Sequence, residues 1–480
     1  MKVLLAASEC VPFIKTGGLA DVAGALPKAL KAENVDIRIV IPCYSGIAEK
    51  YRNEMQEVCR FNVQLGWRNQ MCIVKKLDYE DIPVYFIGND YYFDRPFVYG
   101  MGGDEPERYA FFSKAILEML PQVDFIPDIL HCNDWQTGLV PALLRIKYAD
   151  KPEYAGIRTV YTIHNLQYQG VFNIGYVENL LELGNEAYLE GGLEFYGECS
   201  FMKGGINFAD AVNTVSPTYA KEIQTPDFGE RLDGLMRWQS AKVCGILNGI
   251  DMQEYDPETD PLIPINYSWR SIGRKSKLKA LLKEEVGLAE DIDAPLIGMV
   301  GRLSSQKGLD LLGSELDEII ATGAQLIVLG KGDEDLMNML NDAMNRYPGR
   351  IAARFEMNNP LAHRIYAASD LFLMPSKFEP CGLSQMIALR YGTLPIVRET
   401  GGLKDTVQPY NQYTDEGNGF SFTDFNASDM LNVIRLAVGV YNSDKKTFTR
   451  LARRAMRGSY GWDQSAKRYV GMYERILGIE

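Results

Sequence analysis

Lys2-Val3-Leu4-Leu5-Ala6-Ala7-Ser8, followed by Lys15-Thr16-Gly17-Gly18-Leu19-Ala20-Asp21 and then by Leu19, Val22, Ala23, Leu26 and Leu30 at helical spacing, decides the fold of this chain. The first run is apolar and short, as a strand buried inside a parallel sheet is. The last repeat is the apolar stripe of a helix. Between them, adjacent glycines remove the Cβ atoms that would hold a ligand off the backbone. The helix start offers unpaired N–H groups and a positive dipole end, both suited to phosphate, and Lys15 adds a full charge. Taken alone, the loop reads equally as a tight turn beside a solvated lysine.

Composition narrows the choice. At 480 residues the chain has room for two or three domains, each with its own core. Its net charge of −13 argues against nucleic acid and anionic membranes as partners, so an anionic substrate needs a locally basic pocket. Eight cysteines form no CxxC pair, and three histidines are too few for a histidine-rich metal centre. No run of ~20 apolar residues or basic leader occurs, so a soluble, cytoplasmic protein is expected.

Outward from the opening unit, Asp36–Pro42 reads as the second strand of a βαβ unit. Runs at 61–65, 72–74 and 84–87 lack intervening helices and predict an insertion of antiparallel hairpins and a further strand. Tyr91-Tyr92-Phe93 and Phe97-Val98-Tyr99-Gly100 form an aromatic loop, either a sugar-stacking surface or a loop pinned by its own rings. The strand at 128–133 runs into Asp134 and Trp135, and the strand at 159–163 ends in His164. Ligands of open α/β sheets sit outside the carboxyl ends of strands. Asp134 is therefore a candidate for a substrate hydroxyl or a catalytic charge, or else the cap of the next helix.

Pro257, Pro261 and Pro264 predict a domain linker. Beyond it, 296–300 leads into Gly301-Arg302-Leu303-Ser304-Ser305-Gln306-Lys307-Gly308, a second strand, loop and helix with two cations flanking one loop. Such a pair can grip a diphosphate, or can be solvated. A further strand at 371–375 precedes Ser376-Lys377-Phe378-Glu379-Pro380-Cys381-Gly382-Leu383-Ser384-Gln385, which places Glu379 just before a helix start. Thr400-Gly401-Gly402-Leu403-Lys404-Asp405 then repeats the opening Thr16–Asp21 at five of six positions. No Walker A sequence occurs.

Together the blocks Lys15–Val22, His164–Phe172, Gly301–Gly308 and Ser376–Gln385 resemble the bacterial glycogen synthases and plant starch synthases, over essentially the whole chain. The resemblance implies a GT-B fold with two Rossmann-like doubly wound α/β domains facing a deep cleft. Residues 1–255 would be the acceptor-side domain and 256–459 the nucleotide-sugar domain, with a helix over 460–480 packing back on the first. It implies retaining transfer of α-glucose from ADP-glucose to the non-reducing 4-OH of an α-1,4-glucan, glycogen or malto-oligosaccharide. UDP-glucose as donor and a sugar-nucleotide epimerase on the same fold are the alternatives. By position, Lys15, Gly18, Arg302 and Lys307 would contact the diphosphate and Asp21 the nucleotide end of the donor. His164 and Glu379 would hold glucose hydroxyls, and Asp134 would serve turnover. Gly382 and Leu383 would offer backbone contacts, with Thr400 and Gly401 completing the substrate-binding set. Many relatives carry a histidine where this chain has Asn133, and many retaining GT-B enzymes a second glutamate where it has Ile387. No metal or other cofactor is expected. The Asp-x-Asp pairs Asp291/Asp293 and Asp333/Asp335 lie before a strand and at a helix start, whereas three cations already stand in phosphate-binding loops.

Overall fold

The structure, a computed structural model, describes residues 1–95, 97–100, 103–189, 191–291 and 293–479. The chain divides into two compact units, Met1–Asn248 with the segment from Trp462 onward, and Gly249–Gly461.

In the first unit the main sheet is built from β1 (Lys2–Ala6), β2 (Asp36–Pro42), β3 (Gln56–Leu65), β4 (Arg68–Tyr79), β5 (Ile82–Gly88), β6 (Ile129–Asn133) and β7 (Arg158–Ile163). After a small sheet of β8 (Val171–Asn173), β9 (Glu194–Phe195) and β10 (Glu198–Ser200), it is completed by β11 (Ala211–Thr214) and β12 (Val243–Gly245). The order is β12-β11-β7-β6-β1-β2-β5-β4-β3. From β12 to β5 neighbours run parallel, while β5, β4 and β3 pair antiparallel as the helix-free stretch predicts. Parallel strands covered on both faces need continuous apolar sequence, and Val3 to Ala6 are wholly buried. The chain moves from β1 to β2 and β5 on one side, then returns to β6 and β7 on the other. That reversal opens a crevice beyond the carboxyl ends of β1 and β6.

The last helix, Asp463–Leu477, buries Ser465, Ala466, Tyr469, Met472 and Tyr473, one stripe at helical spacing. Its tyrosines enter a buried polar chain. The Tyr473 hydroxyl lies 2.7 Å from His131 Nδ1, and Asn213 Nδ2 donates to the Tyr469 hydroxyl at 3.0 Å.

The second unit holds β13 (Leu296–Val300), β14 (Gln325–Leu329), β15 (Ile351–Arg354), β16 (Leu371–Met374), β17 (Leu394–Arg398) and β18 (Phe420–Phe422). They form one parallel sheet in the order β15-β14-β13-β16-β17-β18, whose reversal falls between β13 and β16.

Three expectations change. The division falls at Asn248, ahead of the proline stretch, rather than at 255. That stretch is docked: buried Asp260 accepts hydrogen bonds from His363 Nδ1 at 2.9 Å and the Tyr391 hydroxyl at 2.5 Å. The return to the first unit falls at Trp462, not 460. Finally, Tyr91-Tyr92-Phe93 is a helical turn, Asp90–Phe93, rather than loop.

Candidate active site

Each unit gathers its own set of candidate residues at the carboxyl ends of its strands. In the first, the helix Gly18–Ala32 starts directly after the glycine pair, with Gly17 as its extended N-cap. The Gly18 N–H meets no acceptor among the described residues, and a Cβ on Gly18 would meet nothing within 4 Å. That is an open, donor-lined helix start suited to an anion. Lys15 Nζ lies 2.6 Å from Asp21 Oδ1, so the predicted cation is held by the predicted carboxylate at the mouth of the loop. Behind them, Glu9 is 2% exposed and accepts the Thr16 N–H at 2.5 Å and the Thr16 hydroxyl at 2.7 Å. Burial raises the Glu9 carboxyl above its usual range, against the pull of those hydrogen bonds.

At the end of β6, Asp134 has φ +56° and ψ −179°, a region essentially reserved for glycine. Its carboxylate does not cap the turn that follows. It reaches instead to the end of β7, where Oδ1 accepts the His164 N–H at 2.8 Å. Desolvation raises this carboxyl to about 7, with the Glu9 charge adding to the rise and the backbone N–H groups of His164 and Asn165 opposing it. The strained backbone and the raised pKa make the residue a candidate for chemistry.

His164 Nε2 lies 2.9 Å from Asn133 Oδ1, while Asn133 Nδ2 donates to the Ala6 carbonyl at 3.0 Å. With the amide oriented by that carbonyl, Nε2 carries the proton and Nδ1 is left as an acceptor. Desolvation lowers His164 to about 3, so the ring is neutral at physiological pH. Asn133 thus fixes the histidine tautomer.

The aromatic loop is pinned. Tyr92, Phe93 and Val98 are buried, and the Arg108 guanidinium, fully buried and paired with Glu105, donates to the Tyr92 and Val98 carbonyls at 2.8 and 3.2 Å. Its Tyr99 hydroxyl lies 2.8 Å from Ser8 Oγ, at the end of β1.

In the second unit the loops after β13, β16 and β17 lock together through glycines. A Cβ on Gly308 (φ +73°) would lie 2.1 Å from the Pro375 carbonyl oxygen, and one on Gly401 (φ +44°) 1.9 Å from that of Glu379. Glu379, 6% exposed, accepts from Lys307 Nζ at 2.6 Å and from Ser376 Oγ at 3.1 Å. It does not abut a helix as expected, because the helix Ser384–Arg390 starts only after Gly382 and Leu383. The N–H groups of Gly382 (φ +71°) and Leu383 meet no acceptor among the described residues. Arg302 is exposed and likewise meets no partner among them. Thr400 is wholly buried, and with Gly401 it lies under the Glu379 loop, where the Gly402 N–H donates to the Glu379 carbonyl at 3.2 Å.

Sequence reading missed Glu9 and gave no site role to Asn133, noted there only as a departure from relatives, or to Ser376, the first residue of a quoted motif. Glu9 shares a loop with a quoted motif, and a polar residue near a strand end is the one signal that could have found it. Among the described residues, no three His, Cys, Asp or Glu side chains converge as metal ligands.

These loops have counterparts among known proteins. The family described as starch synthase catalytic domain matches residues 2–238, and that described as glycosyl transferases group 1 matches residues 294–436. A glycogen synthase from Desulforamulus reducens is 52% identical over 477 residues, covering 99% of both chains. One from Clostridioides difficile is 48% identical over 480 residues, covering 99% of this chain and 100% of its own. The catalytic domain of starch synthase IV from Arabidopsis thaliana, bound to ADP and acarbose, superposes with a TM-score of 0.92 at 32% identity, over 99% of both chains. A sucrose-phosphate synthase from Thermosynechococcus elongatus shares the fold at a TM-score of 0.63 and 16% identity, over 100% of both. Two doubly wound units bearing these loops make the fold GT-B, and the chain belongs to the glycogen and starch synthase family of glycosyltransferases.

Proposed function

We propose that the chain transfers α-glucose from ADP-glucose to the non-reducing 4-OH of an α-1,4-glucan, with retention of configuration, in the cytoplasm. The observation that carries this reading is the full-length likeness to a starch synthase domain bound to ADP and acarbose. The chemistry of the loops supports it. As the bond from C1 to the diphosphate breaks, negative charge concentrates on the leaving phosphate. Arg302, with no carboxylate to neutralise it, and Lys307 stabilise that growing charge, and the free Gly382 and Leu383 amides add donors. Lys15 and Gly18 are proposed as phosphate contacts of the first unit, and Asp21, 2.6 Å from Lys15, as a contact for the nucleotide end of the donor. Thr400 and Gly401 support the donor-side loop.

Glu379 accepts hydrogen bonds from glucose hydroxyls. Neutral His164 offers Nδ1 as a further acceptor. Asp134, with its carboxyl near 7, can accept or donate to a sugar hydroxyl around neutral pH. The departing phosphate takes the proton of the acceptor 4-OH as the new C1–O4 bond forms on the same face, which retains configuration.

Transfer is proposed to need no metal: Arg302 meets the diphosphate as an unneutralised cation, Lys15 and Lys307 share their charge with Asp21 and Glu379, and the free Gly18, Gly382 and Leu383 amides add positive potential. The test is glucose transfer to a malto-oligosaccharide from ADP-glucose and UDP-glucose side by side, with and without EDTA. Elongation from ADP-glucose that survives EDTA is expected. Preference for UDP-glucose would reassign the donor, isomerised donor without acceptor would identify an epimerase, and silencing by EDTA with rescue by Mg²⁺ would overturn the charge assignment.

A further inference from the structure

The helix Lys445–Met456 carries Arg450, Arg453 and Arg454, and Arg457 caps its carboxyl end. The four follow the spacing i, i+3, i+4, i+7 and so share one face. With Trp269 and Gly458 they line an open groove of about 550 Å³ in the second unit. All four arginines are exposed. Like charges at this spacing repel, and the chain as a whole carries −13, so a concentrated basic face calls for a compensating charge.

The protein supplies only part of it. Asp415 takes Arg450 in two hydrogen bonds of 2.8 Å and also approaches Arg454 at 3.5 Å. Asp444, at the head of the helix, accepts the Thr447 N–H at 3.0 Å, and that hydrogen bond, with a smaller contribution from the Arg450 charge, holds its carboxyl below the usual range. Arg453 and Arg457 pair with no carboxylate among the described residues. Arg457 is instead set over the Trp269 ring, 5.0 Å from its centroid, with Arg270 4.5 Å from the same ring. Stacking of this kind holds a guanidinium in place with its N–H edge available.

We propose that this groove binds a small molecule bearing a phosphate, either a phosphomonoester or a diphosphate, at a site separate from the candidate donor loops. Two guanidiniums one helical turn apart, each presenting a planar fork of donors, can hold several oxygens of one phosphate in bidentate pairs. The groove volume is that of a small-molecule site. The helix also packs on the donor-side framework: Arg390, at the end of Ser384–Arg390, donates to the Met456 carbonyl at 3.3 Å, and a Cβ on Gly392 would lie 2.9 Å from Met456. Occupancy of the groove can thus bear on the helix that starts at Gly382 and Leu383.

The test is calorimetric titration of the full chain with inorganic phosphate and with pyrophosphate, ionic strength held constant with NaCl. Arg302→Ala is predicted to keep a phosphate-binding component that Arg453→Ala/Arg457→Ala weakens about tenfold or more, the loss of two charge-assisted contacts. Tighter pyrophosphate marks a diphosphate ligand, and equal affinity a phosphomonoester. The double variant should transfer glucose at the native basal rate. The proposal is overturned if the double variant titrates like the native chain, or if Arg302→Ala abolishes all phosphate binding. Either result leaves the glucosyltransferase reading untouched, because that reading stands on the transfer assay.

Discussion

The two units arrive at strand-end clusters by opposite electrostatic routes. In the first unit the polar groups are satisfied by each other and held away from water: Glu9 under its loop, Asp134 on the His164 N–H, His164 on Asn133. Desolvation dominates there, raising the carboxyls and keeping the imidazole neutral. In the second unit a buried carboxylate, Glu379, is kept beside Lys307, while Arg302 stands exposed and unpaired. A neutral, orienting cluster suits sugar hydroxyls, which need hydrogen bonds of defined direction. A bare cation beside free amides suits a leaving group whose charge grows during reaction. The contrast predicts that charge changes cost most in the second unit and hydrogen-bond changes most in the first.

Arg302→Ala is the sharpest test, with an expected loss in kcat/KM of about 10³-fold. Because the side chain is exposed and touches no partner, the melting temperature should not move. Steady-state kinetics and calorimetry on the same preparation check both halves. A stability loss that accounted for the activity loss would blur the contrast.

Glu379→Gln should lower kcat by about 10²-fold. Here a modest drop in melting temperature accompanies it, since Lys307 loses the carboxylate it rests on. Turnover near the native rate in a folded variant would remove Glu379 from the site.

In the first unit the corresponding change should divide activity from stability. Asp134→Asn keeps the size of the side chain and an oxygen for the His164 N–H, but it cannot ionise. The folded-state pKa is raised from 3.8 to about 7, so the stabilising preference for the neutral acid is complete below about 4 and lost as pH rises through 7. The variant should therefore melt above the native protein at pH 8, with the gap closing toward pH 5. Its kcat should fall about thirtyfold, the loss of one charge-assisted hydrogen bond. Melting curves from pH 5 to 8 check the closing gap; a constant offset would mean that Asp134 does not titrate in this range.

How much of this was legible in the sequence follows from what is local. The strand–loop–helix units at 2–30 and 296–313 declare themselves because burial of a parallel strand and the helix stripe are both periodic in sequence. Asp134 and His164 could be picked out as strand ends, but not the reason that they matter: the turned carboxylate of Asp134 depends on β7 lying next to β6. The proline stretch misled for the same reason. Proline reports that a segment is neither helix nor strand, not whether it docks, and Asp260 docks on His363 and Tyr391, more than 100 positions away. Likewise, nothing near Glu379 reveals that Gly401 sits against its carbonyl.

The smallest expected effect tests whether the first unit's glycine loop is ordered by its buried acid. Glu9 accepts from the Thr16 N–H and from the Thr16 hydroxyl through one carboxylate oxygen, and Gly17 approaches the other, its would-be Cβ 3.6 Å from Oε1. A glutamine can offer an oxygen to only one of these sides and must turn an NH₂ group toward the other, where the backbone also presents a donor. Glu9→Gln should thus free one end of the Lys15–Gly18 loop while leaving the sheet beneath it intact. Since Glu9 hydrogen-bonds the loop and its charge is the smallest of the named influences on the Asp134 carboxyl, the chemical step should be largely spared. The expected outcome is a rise in KM for the nucleotide sugar of about fivefold, the worth of one hydrogen bond, with kcat within a factor of ~2 of native. The native protein should follow the same course as pH falls: protonation of Glu9, favoured by its desolvation, replaces an acceptor with a donor, and donor KM should climb in acid. In Glu9→Gln that acid limb should be absent. A variant that lost kcat instead, or kept the native acid limb, would show that the loop is held by something other than this carboxylate.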